Sequence, residues 1–152
     1  MKRVEVRLNL EAVAPLLDVI KSAADELRPR LAISPPIPDR EAVFTDVWRG
    51  ELLAAQTADI EVLLALFGAE FFALGSIALE PANCEAVLRA SAALRLHLRA
   101  RMLAALGDDA LESGEVALEV MSEEQRRAFA AFMFLATLQE LTVQHLDPTA
   151  EE

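Results

Sequence analysis

The 152 residues carry 25 acidic and 14 basic side chains, a formal charge of −11. A nucleic-acid binder needs a basic surface to neutralise phosphates, and anionic membranes repel the same charge, so neither is an expected partner. Apolar residues make up 54% of the chain, glycines number 5 and there is a single cysteine. That composition argues against disorder, and a single cysteine excludes an internal disulfide. It points to one mainly helical domain over residues 1–148 in a reducing cytoplasm, with a frayed acidic tail at 149–152.

The first residues, Met1 to Arg7, mix charges of both signs and lack the apolar core of a secretion signal. The apolar runs read as too short to cross a bilayer. Residues 3–10 alternate: Val4, Val6, Leu8 and Leu10 on one side, Arg3, Glu5, Arg7 and Asn9 on the other. Period two predicts a half-buried strand. Weaker strand patterns occur near 76–80 and 115–120, and the charges suggest that Arg3 and Arg7 lie across from Glu115 and Glu119.

A first helix is expected from about Ala12 to Arg28, with Val13, Leu17, Ile20, Ala24, Leu27 and Leu31 as its apolar stripe. Pro15 fits only the first turn, so the start falls near Glu11, and Pro29 ends the helix. Ser34-Pro35-Pro36-Ile37-Pro38 reads as a stiff connector, after which Asp39 caps a second helix. Phe44, Val47 and Trp48 form its first apolar face. Gly50 predicts a kink, a break or a close contact, and Leu52, Leu53, Ile60, Leu63, Leu64 and Phe67 resume the pattern. Ala54, Ala55 and Ala58 would let another helix approach closely.

A third helix runs from Pro81–Asn83 to Gly107, burying Val87, Leu88, Ala92, Leu94, Leu98, Met102 and Leu106, and Asp108 to Gly114 reads as a loop. Ser122-Glu123-Glu124-Gln125 is a capping box that opens a fourth helix, stopped by Asp147-Pro148. From Ala128 to Leu138 this helix is apolar almost all the way round. It therefore reads as the centre of a bundle or half of a subunit interface. The resulting expectation is a mainly α fold, a four-helix core with a small accessory sheet of two or three short strands.

Chemistry is sparse. Arg95, Arg99 and Arg101 are the candidate anion- or partner-binding residues, within a helix that also holds Arg89 and His97. Guanidinium groups bind carboxylate and phosphate through two parallel hydrogen bonds. The plainer reading, an arginine face paired with the chain's own carboxylates, is preferred. His97 and His145 are the nitrogen ligands on offer, but the residue three before His145 is Thr142, so the Glu-x-x-His spacing of di-metal bundles is missing. Cys84 sits at a helix start and reads as a packed structural thiol rather than a nucleophile. Gln139 either emerges into water or bonds across a helix pair. No catalytic constellation, cofactor or metal site is expected.

Two stretches carry a family resemblance. Residues Ala93 to Met102 resemble a "DLRLxLGTRL" segment, with Arg95, Leu96, Leu98 and Arg101 matching, whereas Ala93, Arg99 and Ala100 stand where that pattern has Asp, Gly and Thr. Residues Phe132 to Leu141 resemble a closing "YDWLxxLQESL" helix, retaining Leu135, Leu138, Gln139 and Glu140. Both segments belong to an uncharacterised bacterial family, domain of unknown function two-thousand-seventeen. Its members are often encoded beside the ClpS protease adaptor, so the resemblance implies a link to regulated proteolysis and no known activity. The expected role is a non-enzymatic adaptor or regulatory domain that binds a protein partner or a second copy of itself. The alternative is a small-molecule or anion-binding protein that uses the third-helix arginines.

Overall fold

Asn9 begins the first long helix. Its side chain accepts a hydrogen bond from the Ala12 N–H at 3.2 Å, and α1 follows as Leu10–Leu27. In the computed structural model, which describes residues 3–33, 42–113, 115 and 118–146, three further long helices are α2 (Ala42–Ala65), α4 (Cys84–Arg101) and α6 (Glu123–Leu146). Short helices α3 (Ala69–Leu74) and α5 (Asp108–Ser113) and strands β1 (Val4–Arg7) and β2 (Ser76–Leu79) complete the order. The fold is mainly α with a small antiparallel sheet. The connector at 34–38, the Asp39 cap, the Asp147-Pro148 stop, the acidic tail and the Phe44 side chain lie outside the described residues.

Of the stripe expected on α1, Val13, Leu17, Ile20, Ala24 and Leu27 enter the core, whereas Leu31 lies beyond the helix and is half-buried. Pro15 lies further into the helix than expected, because α1 starts at Leu10. Pro15 faces solvent, so the carbonyl that it leaves without a helical N–H can be met by water. The capping box forms reciprocally. Ser122 N–H donates to Gln125 Oε1 at 3.0 Å and Gln125 N–H donates to Ser122 Oγ at 3.1 Å.

α4 packs against α6 on one side and α2 on the other, and α1 crosses α4 and α6. The hub is therefore α4, a correction to the expectation that the C-terminal helix lies centrally. α6 buries Ala128, Ala131, Phe132, Leu135, Leu138 and Thr142 but leaves Ala130, Thr137, Glu140 and Gln144 in solvent. Alanine and threonine tolerate either environment, so the unbroken apolar reading overstated how much of that helix had to be covered.

Three other expectations change. β1 pairs with β2, setting Val4 opposite Leu79 and Arg7 opposite Ser76. The third strand near 115–120 is not seen: Leu118–Val120 is a 3-10 turn, Val116 and Ala117 lie outside the described residues, and Val120 is 81% exposed. A tight turn there delivers the chain to the Ser122 cap. Arg3 consequently meets Glu5 at 3.8 Å rather than a cross-strand Glu115. Residues 108–113, expected as loop, form α5 and anchor Leu111 in the core.

α2 runs through Gly50 unbroken, and a Cβ built at Gly50 would meet nothing within 4 Å. Among the described residues nothing approaches Gly50 closely, and Ala54, Ala55 and Ala58 are exposed. By length and composition alone Asp46–Leu74 is apolar enough to cross a membrane. The stretch turns at Leu66–Gly68, and Ile60, Leu63, Phe67 and Phe71 pack into the core. Gly75 then closes α3 at φ 70°, its N–H donating to the Phe71 carbonyl at 2.7 Å and its own carbonyl accepting from Leu8 N–H at 2.8 Å.

Candidate functional site

Two concave features flank α4. The first is an apolar groove of about 450 Å3 between the end of the α1 segment, α2 and α4. Ala55, Ala92 and Ala93 line it with Leu52, Leu96 and Ile33. Ile33 is 66% exposed, and Trp48, one turn before Leu52 on α2, is 38% exposed. Small side chains on both helices keep the space open where larger ones would fill it. One lip is polar: Arg89 forms a two-pronged pair with Asp59, Nε to Oδ2 at 2.9 Å and Nη2 to Oδ1 at 3.0 Å.

Gln56 builds the groove's other end. Its Oε1 accepts from Ala32 N–H at 2.9 Å, and its Nε2 donates to the carbonyls of Leu27 at 3.2 Å and Arg30 at 3.0 Å. One amide thus satisfies the last turn of α1 and fixes the chain beyond it to α2. Nothing in the sequence marks Gln56, because this bonding needs groups from 24 to 29 residues away.

The second feature is a polar cleft of about 270 Å3 where α1, α4 and α6 meet, lined by Asp18, Glu26, His97, Arg101, Glu124 and Arg127 among others. His97 forms part of its wall, only 7% exposed, with Nε2 at 2.6 Å from Glu26 Oε2. Arg101 Nε approaches the same oxygen at 3.6 Å. The hydrogen bond from His97 holds the Glu26 carboxyl below its ordinary range, and the charges of His97 and Arg101 add to this against the opposing effect of burial. Arg127 is occupied by Glu123 at 2.8 Å.

The candidate arginines therefore divide. Arg101 joins Glu26 in the cleft. Arg95 leans the other way, onto α6, with Nη1 donating to Gln139 Oε1 at 2.7 Å and its guanidinium carbon 4.5 Å from the Phe132 ring centroid. Arg99 is exposed one turn beyond Arg95, near enough for its charge to lower the Arg95 pKa, after burial as the larger cause. Gln139 bonds across the helix pair, the second of its two sequence readings. Cys84 is fully buried, and burial pushes its thiol pKa up, with Glu80 adding to the rise. Both effects oppose a reactive thiolate. Among the described residues no group of three His, Cys, Asp or Glu side chains is placed to hold a metal.

A family model, "Domain of unknown function (DUF2017)", matches residues 6–146. The chain belongs to the DUF2017 family. The two stretches that carried the DUF2017 resemblance lie on α4 and α6, and the structure joins them: Arg95 from one bonds Gln139 from the other. Arg101, also matched in the first stretch, instead secures the α1 side of the DUF2017 bundle through Glu26. The comparison with curated proteins finds no match, nor does that with solved structures.

Proposed function

We propose that this protein is a non-enzymatic interaction domain, an adaptor or regulatory module of the cytoplasm, whose α2–α4 groove receives an amphipathic helix of a partner protein. The observation that carries the reading is the groove itself, about 450 Å3 lined by Ala55, Ala92 and Ala93 beside Leu52 and Leu96. Alanines permit close approach of a second backbone, and the leucines offer apolar surface to its larger side chains. Charge selects the occupant. A chain of −11 attracts a partner with a basic rim and repels a second copy, nucleic acid and anionic membrane alike. The family resemblance adds regulated proteolysis as the setting.

Trp48 is the single tryptophan and lies one turn from the groove, so its fluorescence reports occupancy. A synthetic helix with leucines on one face and lysines on the other should give a saturable blue shift. Ala93→Glu should abolish it, and a scrambled peptide of the same composition should give none. Equal shifts with the scrambled peptide, or with Ala93→Glu, would remove the groove from consideration. Molar mass across a dilution series tests the choice of partner: a stable dimer would make the occupant a second copy.

A second reading rests on the α1–α4–α6 cleft, where Arg101 and buried His97 meet Glu26. It treats that cleft as a small-molecule site. Thermal shift of the protein with small acids and amines, compared with Arg101→Gln, tests this reading.

A further inference from the structure

Arg95 lines neither the apolar groove nor the polar cleft. Its guanidinium lies over the Phe132 ring at 4.5 Å, and Nη1 donates to Gln139 Oε1 at 2.7 Å. Gln139 is held in turn, its Nε2 donating to the Leu88 carbonyl at 3.4 Å. Backbone, amide and guanidinium thus form a closed set of contacts between α4 and α6. The contact holds the guanidinium against the ring, and among the described residues only its Nη1 meets a hydrogen-bond acceptor.

No carboxylate pairs with Arg95 among the described residues, although Arg89 has Asp59 and Arg101 has Glu26. In a chain with 25 acidic against 14 basic side chains, that omission is informative. The charge is half-buried and has no counter-charge among the described residues, a costly arrangement that an added anion relieves. Nε is shut away from solvent without a hydrogen-bond partner, so an incoming group meets the Nη1–Nη2 edge. That edge matches the two oxygens of a carboxylate. The −11 field disfavours multiply charged phosphates and polyanions, leaving a singly charged carboxylate as the best fit.

We propose that Arg95, held in place by Phe132 and Gln139, is a preorganised receptor for one carboxylate, supplied by the C-terminus of a partner chain or by a small carboxylic acid. This proposal does not rest on the groove reading, which involves the other flank of α4.

The test is nuclear magnetic resonance of the full-length, nitrogen-15-labelled chain. The Arg95 Nε and Gln139 side-chain amide signals are followed during titration with sodium propionate. Propionamide and sodium chloride at matched ionic strength serve as controls. The expected result is a saturable shift with propionate and none with propionamide, weakened at least about tenfold in Arg95→Lys, which keeps the charge and loses the fork. A short peptide with a free C-terminus, compared with its C-terminal amide, separates the two sources. Tighter binding of the free-acid peptide than of propionate assigns the site to a partner chain, and equal binding assigns it to a small acid. A non-saturating drift that chloride reproduces would overturn the proposal. That outcome is read on the wild-type chain, so misfolding of the variant cannot obscure it.

Discussion

His97 and Glu26 meet at 2.6 Å across the α1–α4 junction, an imidazole 7% exposed against a carboxylate 45% exposed. Arg101 approaches the same oxygen at 3.6 Å. The Glu26 carboxyl is consequently held below its ordinary pKa, first through the His97 hydrogen bond. A carboxylate depressed in the folded state contributes stability above its unfolded pKa and loses it as pH falls through the folded one. Wild type should therefore melt above Glu26→Gln at about pH 5, where the carboxyl is ionised in both the folded and the unfolded chain. Below about pH 4 the difference should shrink as the folded carboxyl takes up its proton. A gap unchanged down to pH 2.5 would disconnect Glu26 from stability.

Gln56 joins three backbone groups near the end of α1 to α2. Gln56→Ala leaves the Ala32 N–H and two carbonyls without that amide. A loss of about 1–3 kcal/mol in urea unfolding is expected, since orphaned, half-buried polar groups cost that much. Gln56→Glu should be nearly as damaging, because a carboxylate cannot donate to the Leu27 and Arg30 carbonyls.

At the start of α6, Ser122→Ala removes the hydroxyl that accepts from Gln125 N–H at 3.1 Å. About 1 kcal/mol should be lost. Ser122→Asp should retain most of it, because a carboxylate caps the same N–H and complements the helix dipole. Paired melting curves of the two variants separate capping from any other role of the hydroxyl.

Gly75 occupies the left-handed region at φ 70°, and a Cβ there would stand 3.2 Å from the Leu8 carbonyl oxygen. Gly75→Ala should cost about 1–2 kcal/mol, combining left-handed strain with pressure on the α3–β1 junction. The melting temperature should fall by about 3–8 °C. An unchanged melting temperature would show that the junction yields without cost.

Local signals carried well where one element supplies every partner. The capping box needs only Ser122 and Gln125, and it formed as read. The α1 stripe needs only period and a core, and Val13, Leu17, Ile20, Ala24 and Leu27 are buried. Reading failed where the outcome depended on distant company. At 115–120 the strand pattern gives way to a 3-10 turn at Leu118–Val120, and at Gly50, where a kink, a break or a close contact was expected, the helix runs on with nothing near it among the described residues. For the arginines, one-turn spacing placed Arg95 and Arg99 on one face, but only the packing of α1 and α6 decided that Arg101 meets Glu26 while Arg95 meets Gln139.

By itself the sequence determined the four long helices, the capping box at Ser122, and that the surface field is acidic. These follow from side-chain period, backbone restriction and charge count, all properties of residues close along the chain. Only the tertiary structure decided that α4 is the hub, that Gln56 ties α1 to α2, and that an apolar groove and an arginine with no carboxylate partner among the described residues lie on opposite flanks of one helix. Those outcomes depend on which helices pack together, and such contacts join residues too far apart in sequence for any local pattern to specify.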